Sequence, residues 1–124
     1  MAKKILLIDD EPDILKTFKT RLEKSGYTVV TGVDEKDCFK KAAEEKPDLI
    51  LLDVLLPGIG GFEVCRELKK SAATKKIPVI MLTALIGESA LDKALGVGAR
   101  SLISKPCDPE DLLWQIEDAI KNKR

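Results

Sequence analysis

Two kinds of apolar segment alternate along this chain. Short dense runs at Ile5–Ile8, Tyr27–Val30, Leu49–Leu52, Ile77–Leu82 and Ser101–Ile103 read as buried strands. The longer segments between them space their apolar residues as helices do. The first places Ile14, Leu15, Phe18 and Leu22 on one face, and the second carries a narrower stripe of Cys38, Phe39, Ala42 and Ala43. The third offers Val64, Cys65 and Leu68, and the fourth Ala90, Leu91, Ala94 and Val97, weakened by Gly87 and Gly96. The last carries Leu112, Leu113, Ile116, Ala119 and Ile120.

Strands that alternate with helices imply βαβ units and a parallel sheet. Near-continuous apolar strands imply that helices cover both of its faces. Punctuation supports the joints. Glu11–Pro12 opens the first helix, Ser25–Gly26 closes it, Pro47 precedes strand three, Pro78 starts strand four and Asp108–Pro109 opens the last helix. In such a sheet the ligand site is expected beyond the C-terminal strand ends, where the strand order reverses.

Composition narrows the chemistry. The 124 residues suit one domain, residues 1–124. There is no histidine, which removes Ser-His-Asp and Cys-His catalysis, His-ligated zinc and histidine proton shuttling. Lys and Arg number 21, balanced by 21 Asp and Glu, so no direct nucleic-acid binding is expected. The basic ending Lys121–Arg124 reads as complement to a helix dipole. Cys38, Cys65 and Cys107 show no zinc spacing and read as reduced structural thiols of a cytoplasmic protein. No apolar run approaches a membrane span, so no membrane partner is expected.

The strand ends hold the polar residues of interest. Asp9–Asp10 follow strand one, Asp53 strand three, Thr83 strand four, and Lys105–Pro106 strand five. Singly, Asp10 reads as a helix cap before Pro12, Thr83 as a cap for the fourth helix, and Lys105 as a solvated lysine. Asp53 resists that reading, because it stands between Leu49–Leu52 and Val54–Leu56, where a carboxylate is costly without a partner. Together, three carboxylates at one edge repel, each pair by about 1 kcal/mol at ~4 Å in water and by several at an effective dielectric of ~20. Lys105 offers one compensating charge. An all-oxygen donor set calls for a hard cation, and Mg²⁺ is the natural choice. A carboxylate facing a cation, a lysine and a hydroxyl is arranged to accept a phosphoryl group.

These residues resemble the receiver domain of two-component response regulators over about residues 3–122. The resemblance is carried by Ile8–Asp9–Asp10–Glu11–Pro12, Leu52–Asp53 with Pro57 and Gly61, Leu82–Thr83–Ala84, and Gly98–Ala99 leading to Lys105–Pro106. It implies a flavodoxin-like (CheY-like) doubly wound five-stranded sheet of order 2-1-3-4-5 with five helices. It implies that Asp53 is the phosphoacceptor for a sensor histidine kinase, a phosphotransfer protein or a small phosphodonor. Asp10, Asp53 and the Leu55 carbonyl would bind Mg²⁺ directly, and Asp9 through a water. Lys105 would pair with the phosphoryl oxygens, Thr83 would hydrogen-bond them once the adduct forms, and the Lys105–Pro106 bond would be cis. On this reading the chain is a signalling switch that assists its own phosphorylation and dephosphorylation, not an enzyme with a separate substrate.

Three positions depart from the family pattern. Leu102 stands at the aromatic switch position, Cys107 where a phenylalanine often follows the Lys–Pro pair, and Gly60 where Asp or Asn often precedes the last glycine of the loop. Trp114, the only tryptophan, falls opposite the apolar face of the last helix. It is either a single exposed hydrophobic or an anchor for a target, an output domain or a second subunit on the helix four–strand five–helix five face. Two rivals stand beside the switch. A nucleotide- or flavin-binding α/β enzyme is opposed by the acidic edge and by the lack of a glycine-rich phosphate cradle. A phosphorylation-independent interaction domain on the same fold is opposed by the intact Asp10, Asp53, Thr83 and Lys105.

Overall fold

Every apolar run forms a strand, and every strand is parallel to its neighbours. The computed structural model describes residues 2–84 and 89–122. In chain order the elements are β1 (Lys4–Ile8), α1 (Pro12–Lys24), β2 (Thr28–Gly32), α2 (Glu35–Glu45) and β3 (Leu49–Asp53). There follow α3 (Gly61–Lys70), β4 (Val79–Thr83), α4 (Ala90–Gly96), β5 (Ser101–Ser104) and α5 (Pro109–Lys121). The sheet order is β2-β1-β3-β4-β5, as the resemblance implies. Gly87, Lys123 and Arg124 lie outside the described residues.

Side chains alternate across the central strands, and each face collects its own helices. Leu6, Ile8, Ile50, Leu52, Val79 and Met81 pack with Cys38 and Ala42 of α2, Val64, Cys65 and Leu68 of α3, and Ala94 of α4. Ile5, Leu7, Leu49, Leu51, Ile80 and Leu82 pack with Phe18 and Leu22 of α1 and Leu112, Ile116 and Ala119 of α5. Full burial of one such Leu or Ile stabilises the fold by roughly 1.5–3 kcal/mol. Cys38 and Cys65 are free thiols inside the first layer, and burial pushes them up to about 12 and about 11. They are structural.

Beyond one-residue shifts at other strand ends, two strand boundaries and two helix faces differ from expectation. Strand β2 runs from Thr28 to Gly32 instead of 27–30, because Thr28 registers with Lys4 and Gly32 with Ile8. Strand β4 starts at Val79 rather than Ile77, whose N–H is bonded to the Thr74 carbonyl in the preceding turn. Ala43 and Leu91 are exposed, each lying just off the stripe that meets the sheet. Their helices need only a narrow apolar seam, since α2 and α4 each bury few residues.

Gly61 sets how closely α3 returns to the sheet. An added Cβ there would stand 2.1 Å from the Asp53 carbonyl oxygen and 2.8 Å from Val54 Cα. Gly61→Ala is expected to destabilise the fold by about 1–3 kcal/mol through overpacking. Gly96→Ala is the control: a Cβ there meets nothing within 4 Å, so it is expected to be neutral or mildly stabilising. Urea unfolding of both variants checks this, and equal losses would refute the role given to Gly61.

Candidate functional site

Register brings the acidic residues together. Ile8 pairs with Leu52, so Asp9 and Asp53 take matching positions at the ends of adjacent strands. The crevice between β1 and β3 is where the strand order reverses, the expected ligand position in this architecture. Backbone ladders extend past the strand ends: Asp9 N–H donates to Gly32 O at 3.2 Å, Val54 N–H to Leu82 O at 2.8 Å and Lys105 N–H to Thr83 O at 2.8 Å.

Asp9 and Asp53 are buried, while Asp10 is exposed at the rim. One carboxylate oxygen from each of Asp9, Asp10 and Asp53 lies within 4.8 Å of the others. Lys105 reaches into this group from the opposite side, its Nζ 2.8 Å from Asp9 Oδ2 and 3.3 Å from Asp53 Oδ1. Its side chain is only 7% exposed, so this is a buried ion triad and not a surface pair. The Lys105–Pro106 bond is cis, as the resemblance implies. Thr83 is buried at the end of β4, in register with Ser104 of β5.

The capping alternatives fail on position. The N-cap of α1 is Glu11, not Asp10, and the Glu11 N–H donates to Asp9 Oδ1 at 2.9 Å. The N-cap of α4 is Ser89, not Thr83. Lys105 is not solvated.

Electrostatics sets the two central residues apart. Burial is the main force raising Asp53 above the ordinary carboxylate value, and the Asp9 charge adds to it. Lys105 and the Leu55 N–H pull the other way without cancelling the rise. For Lys105, burial favours the neutral amine, but the hydrogen bond to Asp9 and the charges of Asp53 and Asp9 outweigh it and raise the ammonium. The two shifts are compatible. One lysine serves two carboxylates, its shorter bond goes to Asp9, and Asp53 keeps the weaker share together with Asp9's repulsion.

The two residues read as switch and output positions lie apart from the crevice. Leu102 is half-buried in β5 and packs against the core layer shared by α2, α3 and α4. Trp114 is 65% exposed on α5. It lines a groove of about 510 Å³ with Pro78, Val79, Ser101 and Asp118, at the N-terminal ends of β4 and β5 and so at the opposite end of the sheet from Asp53. One residue the sequence reading passed over is Glu35, whose carboxylate reaches the loop after β3. Nothing in its spacing marks it, because it stands 24 positions from the amide it contacts.

Residues 5–117 match the response regulator receiver domain family. The chain is 44% identical over 123 residues to the alkaline phosphatase synthesis transcriptional regulatory protein PhoP of Bacillus subtilis (strain 168). That match covers 98% of this chain and 50% of PhoP, so the chain spans about half the length of this relative. The chemotaxis response regulator CheY4 of Vibrio cholerae is similar in structure, with a TM-score of 0.87 and 30% identity, over 94% of this chain and 98% of that one. The receiver domain of the sensor histidine kinase PA1611 from Pseudomonas aeruginosa PAO1 superposes with a TM-score of 0.90 at 25% identity, over 98% of this chain and 100% of that one. That structure holds a magnesium ion in its active-site cleft. With the acidic crevice and its lysine already in place, these likenesses settle the family: this chain belongs to the response regulator receiver domains, the signalling modules of two-component phosphorelays.

Proposed function

We propose that residues 1–124 form a single receiver domain that works as a Mg²⁺-dependent switch, phosphorylated on Asp53. The observation that carries this reading is the buried Lys105 ammonium set 2.8 Å from Asp9 and 3.3 Å from Asp53. A buried triad with two anions and one cation is left one positive charge short, with a third carboxylate at its rim. The donor set fits a small hard cation: three carboxylate oxygens within 4.8 Å of one another, with neither imidazole nor thiolate among them. Asp10, Asp53 and the Leu55 carbonyl would hold Mg²⁺, and Asp9 would act through a bound water. When bound, the cation neutralises charge on the phosphoryl oxygens and the acceptor carboxylate.

The residues of the chain divide the remaining work. The Asp53 carboxylate attacks phosphorus, and the leaving group departs with the electrons of the broken bond. Lys105, held in place by Asp9, pairs with a phosphoryl oxygen as charge builds there. The Thr83 hydroxyl donates to another once the acyl phosphate has formed. The new group carries up to about two negative charges and biases the domain between two arrangements. The donor is a phosphohistidine on a sensor kinase or phosphotransfer protein, since this chain has no histidine of its own. Incubation with Mg²⁺ and acetyl phosphate should add one base-labile phosphoryl group, seen by intact mass. Failure with every donor, kinase included, would sink this reading and leave the phosphorylation-independent interaction domain in its place.

Output runs through a target protein, an output domain or a second copy of the chain at the α4–β5–α5 face, where Trp114 is the anchor. The balanced charge favours protein contacts over direct nucleic-acid contacts for this domain. No helix among the described residues is long and apolar enough to cross a membrane, in keeping with a cytoplasmic role. Trp114→Ala is expected to weaken association of the phosphorylated domain by about 2 kcal/mol while leaving acetyl phosphate labelling unchanged. Sedimentation of both proteins after phosphodonor treatment measures the first effect. Equal association would remove Trp114 from the interface.

A further inference from the structure

The loop between β3 and α3 lacks a cap of its own. Gly60 is the N-cap of α3, with φ +85°, and no side chain there accepts a helix N–H. The loop is rooted on its inner side by Leu56, which is buried, and closed at its base by the Gly61 N–H bonded to Val54 O at 2.8 Å. Its outer side is tied to another element. The Ile59 N–H donates to Glu35 Oε2, at 3.2 Å, on the first turn of α2. A Cβ added to Gly58, at φ +89°, would stand 3.0 Å from the Glu35 carboxyl carbon and from both of its oxygens. The carboxylate therefore lies flat against the Gly58 backbone, in space that only glycine leaves open.

Glu35 is itself held firmly. The Asp34 carboxylate caps α2 by accepting from Asp37 N–H at 2.8 Å, and the Asp37 carboxylate accepts from Val33 N–H at 3.0 Å. This reciprocal pair fixes the first turn of the helix and so aims Glu35 at the loop. The same loop carries Leu55, just beyond Asp53, whose N–H favours the ionised Asp53 carboxylate. We propose that Glu35 is a positioning residue for the phosphoacceptor loop, tying the outer side of the loop to α2 through the Ile59 N–H. The proposal rests on the Mg²⁺-dependent reading of Asp53, because it acts by holding the Leu55 carbonyl where a cation would use it. Outer-shell partners that orient a metal ligand typically matter about 10- to 100-fold in metal affinity.

The test uses the unphosphorylated full chain, with Mg²⁺ as the probe. In calorimetric titration, Glu35→Ala is expected to weaken Mg²⁺ binding about tenfold, with Glu35→Gln within about twofold of the parent because its carbonyl can still accept the Ile59 N–H. Amide exchange in the metal-free protein gives an independent readout: the Ile59 N–H should exchange about tenfold faster in Glu35→Ala and at the parental rate in Glu35→Gln. Parental Mg²⁺ affinity and parental Ile59 exchange in Glu35→Ala would overturn the proposal. Equal losses in both variants would overturn it too, since charge and not the hydrogen bond would then be responsible. A parent protein that binds no Mg²⁺ would instead refute the functional reading, and the Ile59 exchange comparison would still decide whether Glu35 holds the loop.

Discussion

Asp53→Asn should abolish phosphoryl labelling and, in the same protein freed of metal, increase stability. The two effects have one cause. Asp53 is raised above the ordinary carboxylate value chiefly by burial and then by the Asp9 charge, so its ionised form costs the native state free energy. Asparagine keeps the shape and removes the charge. Lys105 loses its 3.3 Å contact but retains Asp9 at 2.8 Å, so the lysine stays compensated. The gain at pH 7 is expected to be about 1 kcal/mol, the scale of one like-charge pair at ~4 Å in water. Its sign fixes its pH dependence. The cost of Asp53 is present at neutral pH and is relieved as pH falls through the raised Asp53 value, so the two stability curves should converge on acidification. Urea unfolding in EDTA across that range, with labelling by intact mass, checks both halves. Retained labelling would place the acceptor elsewhere, and a loss of stability would mean that the Lys105–Asp53 pair outweighs the repulsion.

How much of this site could be read from sequence depends on how each residue gets there. Asp9, Asp10, Asp53, Thr83 and Lys105 each lie at or just beyond the C-terminal end of a strand, and a parallel sheet gathers those ends along one edge. Local pattern therefore implied their proximity before any contact was known. The same logic failed where position depends on packing at a boundary. Strand β4 begins late because Ile77 is engaged by the turn at Thr74, a bond no hydrophobic pattern announces. Leu91 fits a helical stripe by spacing, yet the short helix α4 turns only Ala94 fully inward. Glu35 was invisible for a third reason. It reads as one more acidic residue in the first turn of a helix, where dipole complementarity already accounts for it. Its contact with Ile59 exists only because α2 and α3 lie side by side on one face of the sheet.

Lys105→Met carries the larger stability effect, and it separates the lysine's structural role from its chemical one. Methionine fills much of the same volume but leaves Asp9 and Asp53 buried with no cation between them. Breaking a buried pair by deleting one partner costs about 3–5 kcal/mol, so the metal-free variant should unfold at markedly lower urea. The raised Lys105 gives the sign of the pH term: its contribution is complete below the ordinary lysine value and is lost as pH climbs through the raised one. Labelling should also slow about 100-fold, the scale for deleting one donor aimed at developing charge. The double variant Asp53→Asn with Lys105→Met distinguishes repulsion from simple loss of packing. If repulsion between the two carboxylates is what the lysine offsets, removing the Asp53 charge should restore part of the lost stability, with a coupling of about 0.5–3 kcal/mol. Strict additivity would mean that the lysine stabilises through its stem and its bond to Asp9 alone. The acidic crevice would then be held together by its backbone ladders, and Lys105 would be kept there for its chemistry.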